Sequence, residues 1–70
     1  MRIEEIKKGD IITYRSGKIN NVNKPSEYKK WYDENFTHIK WGEVCDIIKI
    51  QRYFKFLWFY RLKTIYKRVK

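Results

Sequence analysis

The side chains in this 70-residue chain with the widest chemical repertoire are one imidazole, His38, and one thiol, Cys45, seven positions apart. If the two met they could serve as base and nucleophile. The competing reading is structural, because a free cysteine usually packs as a small apolar residue. A lone imidazole also lacks the thiol or carboxylate neighbours that a metal centre requires. The eight acids are scattered over the first forty-six residues, and no pair is spaced to share one face for acid–base work. Gly9, Gly17 and Gly42 stand alone at expected turns, which leaves no glycine-rich phosphate loop. The expectation is a protein without catalytic residues, metal or cofactor.

Charge and aromatic content point elsewhere. All eight Asp and Glu residues lie in residues 1–46, whereas eight of the seventeen Lys and Arg residues lie in 46–70. Seven of the thirteen aromatics share that stretch, DIIKIQRYFKFLWFYRLKTIYKRVK. Cations that neutralise phosphates gain affinity by releasing counterions. Aromatic faces stack on unpaired bases for about 1–3 kcal/mol per base. The candidate contacts are Lys49, Arg52, Lys55, Arg61, Lys63, Lys67 and Arg68, with Tyr53 and Tyr60 as stacking rings and Arg15 and Lys18 added from a hairpin tip. The opposing reading makes the aromatics core, Trp58 foremost, and the lysines a solvated face.

Two further surfaces are weighed. Phe56–Tyr60, flanked by Lys and Arg, would suit an anionic bilayer surface only if those aromatics were spare, which a domain this small argues against. Trp31, Tyr32 and Trp41 lie outside the basic run and are candidates for a protein-binding anchor or for satellite core.

Elements must position these groups. Ile3 and Ile6 fit one short helical turn. Residues 10–15 and 18–22 read as a hairpin joined by Ser16-Gly17, with Tyr14 opposite Ile19 and Ile11 opposite Val22. Ser26 is placed to cap a short helix through Tyr32, bringing Tyr28 and Tyr32 together at i, i+4, and a loop with an irregular turn at Asp33-Glu34-Asn35 fits equally well. Residues 36–41 alternate as a strand. β-branched density makes 44–52 a strand with Ile48 and Ile50 on one face and Ile47 on the other. Residues 56–66 fit a strand better than a helix, with Phe56, Trp58, Tyr60 and Leu62 on one face.

A chain this short makes one domain, 1–70, burying about 60% of its unfolded surface. One cysteine gives no internal disulfide, and neither a signal peptide nor a spanning segment is legible, which fits a reducing, cytoplasmic setting. An open strand edge would permit a homodimer by sheet extension.

Two resemblances add context. Lys8-Gly9-Asp10-Ile11-Ile12 looks like the entry to SH3-like small barrels. GDIITYRSGK (9–18), YDENF (32–36), DIIKIQR (46–52) and LKTIYKR (62–68) resemble small proteins encoded by phages and prophages of Firmicutes. The second resemblance implies a host-component binder acting by occupancy, in the manner of anti-CRISPR inhibitors. The expected architecture is mostly β: a small SH3-like or related five-stranded barrel, or a curled antiparallel sheet, with one short helix. The expected partner is nucleic acid or a nucleoprotein in a bacterial host cell, or alternatively an acidic surface of a host enzyme.

Overall fold

In the computed structural model, residues 2–17 and 19–68 are described. They form a four-stranded antiparallel sheet of order β2-β1-β3-β4, with β1 Ile11–Tyr14, β2 Ile19–Asn21, β3 Ile47–Phe56 and β4 Phe59–Lys67. One helix, α1 (Ser26–Trp31), and two 3-10 turns, Ile3–Glu5 and Glu43–Cys45, complete the element list. The mostly β expectation holds, with the single short helix. Closure does not: β2 and β4 are the two edges of an open sheet, and residues 36–41 supply no fifth strand. His38 makes only isolated bridges to Tyr32 and Gly42 there. The backbone of this segment turns because Asp33 Oδ1 accepts from the N–H groups of Asn35 and Thr37, fixing a loop that the alternating pattern did not reveal.

The core lies on one face of the sheet. Ile12, Ile47 and Ile50 are fully buried and meet Ile3, Ile6, Val22, Tyr32 and Phe36, with Tyr14, Tyr28, Ile65 and Tyr66 at the margin. Ile3 and Ile6 do share the inner side of the first 3-10 region, as their spacing implies. Tyr28 on α1 and Tyr32 at its C-cap stack at 5.6 Å, the contact that their i, i+4 spacing implies, while Pro25, not Ser26, holds the N-cap position and no side chain caps the helix.

Three registers differ from the sequence pattern. Arg15 and Ser16 are the central residues of a turn in which Gly17 N–H donates to the Tyr14 carbonyl at 2.9 Å, and Gly17 has φ +90°. That longer link moves the pairing by one, so Ile11 faces Asn21 and Thr13 faces Ile19. A register shift between Thr13 and Tyr14 places one extra residue, Ile48, on β3. Ile47 and Ile50 therefore both reach the core, although strict alternation puts them on opposite faces. Finally, the chain reverses at Leu57-Trp58, between Phe56 and its partner Phe59. The expected 56–66 strand is thus split by a turn, and 53–56 belongs to β3.

Beyond Ile50 the β3–β4 hairpin leaves the body. β1 pairs with β3 only as far as Gln51, and Tyr53 through Thr64 are all exposed. The molecule measures 41 × 25 × 19 Å, and Trp58 at the turn is 84% exposed. Trp58 is therefore the opposite of a core residue. Only Tyr32 and Phe36 among the described aromatics are buried. Isoleucines took the place that aromatic bulk was expected to fill.

Candidate nucleic-acid interface

Alternation along the paired strands sorts the basic and aromatic residues onto two faces. Residues directly opposite each other share a face. From the pairs Thr13↔Lys49, Lys49↔Lys67, Tyr53↔Leu62 and Lys55↔Tyr60, the face away from the core carries Thr13, Lys49, Tyr53, Lys55, Tyr60, Leu62 and Lys67. Tyr53 (55% exposed) and Tyr60 (68% exposed) are diagonal neighbours on it. At its root a shallow depression of about 390 Å³ is lined by Thr13, Arg15, Ile48, Lys49, Lys67 and Arg68. Among the described residues the Thr13 hydroxyl has no hydrogen-bond partner, and it is buried beneath this group of cations. Nothing in the sequence singles out Thr13, since its solitude depends on the register of three strands.

The core-side face of the same hairpin carries Phe54, Phe56, Phe59, Arg61 and Lys63. Arg61 and Lys63 are therefore separated from Lys49, Lys55 and Lys67 by the thickness of the sheet. Lys18 lies outside the described residues.

Arg52 and Arg68 are committed to the fold. Asp10 is 1% exposed, and Arg52 reaches it with Nε and Nη2 at 2.7 Å each, while Nη2 also donates to the Glu5 carbonyl at 3.0 Å. The hydrogen bonds to Asp10 hold the guanidinium pKa above its ordinary value. Asp46, also 1% exposed, accepts from Arg68 Nη1 at 2.9 Å and from the His38 N–H at 3.1 Å. Arg68 Nη2 donates further to the Asn35 carbonyl and to Thr37 Oγ1. The forked Arg52–Asp10 pair and the single Arg68–Asp46 bond fasten the two strands of the arm to the body. A guanidinium spent on a buried carboxylate has little left for a phosphate.

His38 is likewise occupied. Its Nδ1 accepts from the backbone N–H groups of Lys40 and Trp41 at 3.1 and 2.9 Å, which leaves the ring proton on Nε2. The ring is buried between Trp31, stacked at 6.0 Å, and Tyr32, edge-on at 5.0 Å. Cys45 is a half-buried free thiol, and its carbonyl accepts from the Tyr32 hydroxyl at 3.0 Å. Tyr32 is thereby core, whereas Trp31 and Trp41 stay 43% and 63% exposed. Among the described residues no three His, Cys, Asp or Glu side chains gather as a metal site, and no helix is long and apolar enough to cross a membrane. Comparison with protein-family models, curated proteins and solved structures finds no match.

Proposed function

We propose that the protein is a non-enzymatic binder that captures nucleic acid, or a complex containing it, on the outer face of the β3–β4 arm. The observation that carries this reading is one exposed sheet face holding two diagonal tyrosines in line with Lys49, Lys55 and Lys67, in a chain segment without an acid. Stacking on Tyr53 and Tyr60 would hold unpaired bases, and the lysines would neutralise the backbone that joins them. The depression at the root, with Arg15, Lys49 and Lys67 around it, would take a phosphate. A flat ribbon cannot enclose a substrate, so binding acts by occupancy. The resemblance to phage proteins supplies the context of an inhibitor of a bacterial defence system, working in the host cytoplasm.

The test titrates fluorescent single-stranded RNA, single-stranded DNA and duplex DNA across salt. Lys49→Glu/Lys55→Glu/Lys67→Glu is compared with Arg61→Glu/Lys63→Glu on the opposite face. The outer-face variant should lower the slope of log K against log salt by about 2, from roughly 0.7 per single-strand phosphate released. Tyr53→Ala/Tyr60→Ala should weaken single strands by about 10-fold or more and duplex far less. Equal loss from both charge variants would sink the assignment to one face. Binding that survives nuclease in a host lysate would replace it with an acidic protein surface.

A further inference from the structure

The outer face leaves the end of the arm unexplained. Phe56, Leu57, Trp58 and Phe59 are 60%, 66%, 84% and 42% exposed at the far end of the molecule. Phe56 meets Phe59 at 5.6 Å and Trp58 meets Phe59 at 6.5 Å, both edge-on. Eight of the twelve exposed large apolar side chains among the described residues belong to Tyr53–Leu62. Water-exposed apolar clusters of this kind mark interaction sites. The premise that so small a domain needs these aromatics for its core fails, because isoleucines fill that core.

The order of side chains along the arm identifies the occupant. Behind the apolar turn comes the Lys55↔Tyr60 level, then Arg61 opposite Phe54, then Lys63 opposite Arg52. At about 3.4 Å per residue, Arg61 sits roughly 7 Å behind the Phe56↔Phe59 pair. That is the depth by which an interfacial segment sinks its apolar part below lipid headgroups, about 5–10 Å. Aromatic rings at the boundary and cations at headgroup level repeat the layering of a membrane interface. The segment from Ile47 to Lys67 contains no acid that anionic lipid would repel.

Charge argues against a second copy as occupant. Two β4 edges joined by a twofold would bring Arg61, Lys63 and Lys67 of one copy beside those of the other, in a chain of net charge +9. We infer that the Phe56–Phe59 turn is a membrane-docking tip, which inserts into the interface of an anionic bilayer while Lys55, Arg61 and Lys63 contact lipid phosphates. Insertion stays shallow, because both edges of a two-stranded arm carry unpaired backbone groups that must remain wet. This inference stands apart from the nucleic-acid reading, since it rests on the turn and on the core-side cations Arg61 and Lys63, and only Lys55 is common to both.

The experiment measures co-sedimentation with vesicles of phosphatidylcholine alone and with 30% phosphatidylserine (about that fraction, to give a surface potential near −30 mV). A Trp31→Phe/Trp41→Phe version leaves Trp58 as the sole tryptophan, excited selectively at the red edge of tyrosine absorption. Binding to the anionic vesicles, with a blue shift of Trp58 and its quenching by lipids brominated high on the chain, is expected. Leu57→Ser/Trp58→Ser should reduce partitioning by about tenfold or more, and Arg61→Glu/Lys63→Glu should do so in a salt-dependent way. Both variants alter exposed positions, and circular dichroism verifies that they fold. An unshifted Trp58, or serine variants that bind vesicles as well as the parent, would overturn the inference. So would a turn variant that loses single-stranded RNA while the parent ignores vesicles, an outcome that assigns the turn to nucleic acid.

Discussion

Arg52 and Lys55 are three residues apart on β3, and the structure gives them opposite fates under the same substitution. Arg52→Gln removes two charge-assisted bonds to Asp10 and one to the Glu5 carbonyl, leaving a carboxylate that is 1% exposed with only the Lys7 N–H at 2.9 Å. Breaking a buried pair from one side typically costs 3–5 kcal/mol. Because the Arg52 side chain is 21% exposed, so that water can partly replace it, we take the low end, about 3 kcal/mol. A core of this size supplies about 3–5 kcal/mol in all, so the variant should stand near its midpoint at room temperature. At 4–8 °C per kcal/mol, the melting temperature should fall by roughly 12–24 °C. Lys55→Gln touches an exposed side chain and should stay within about 0.5 kcal/mol. Urea and thermal denaturation followed by circular dichroism measure both. Asp10→Asn/Arg52→Gln, which leaves no orphaned charge, should recover part of the loss, and the double-mutant cycle gives the coupling. If Arg52→Gln matched Lys55→Gln, the pair would be an ordinary surface contact, and Arg52 would return to the list of free cations.

Other perturbations test the same structure. Leu57 adopts φ +56°, and positive φ at the first residue of a two-residue hairpin turn favours glycine, so Leu57→Gly should raise stability by about 1 kcal/mol in urea melts. Phe36 is 1% exposed and stacks on Tyr66 at 4.1 Å, so Phe36→Ala should cost about 3–5 kcal/mol and leave no cooperative transition. Trp58→Ser should leave the melting curve unchanged within error, contrary to what a core tryptophan would show. Burial, and then the Tyr14 hydroxyl, pushes the Tyr28 phenol well above its ordinary value, and burial does the same at Tyr32. Because both folded values are raised, the stability they contribute is complete below the unfolded value near 10 and falls as pH rises past it. Alkaline unfolding should thus begin above about pH 10, and Tyr28→Phe/Tyr32→Phe should flatten that limb.

How much of this was legible in the chain depends on what each feature rests on. Local signals held: the Ile3/Ile6 turn, the Tyr28/Tyr32 stack and the existence of a first hairpin follow from short-range spacing. Register did not, because a one-residue difference at Arg15–Gly17 and an extra residue at Ile48 are set by pairing across three strands. The Leu57-Trp58 turn carries no Gly, Asn or Asp, so turn chemistry gave no sign of it. Of the candidate cations, Lys49, Lys55 and Lys67 do share a face with Tyr53 and Tyr60. Composition cannot separate a free arginine from one paired with a buried carboxylate 42 or 22 positions away, and that is why Arg52 and Arg68 looked like contacts.

That separation also sets when the fold can close during synthesis. Asp10 and Arg52 are 42 residues apart, and Asp46 waits 22 residues for Arg68. At 5–20 residues per second, Asp10 exists for about 2–8 s before Arg52 is made. During that interval β1 and β2 form at best an isolated hairpin, which is marginal in water, with Ile12 paired to Asn20 but lacking its β3 neighbour Ile50. Ile65 and Tyr66, which complete the core margin, arrive later still. The body therefore closes only once Ile65, Tyr66 and Arg68 have been made, and a chain cut before Ile65 would lack both the margin of the core and the Arg68 bond to Asp46.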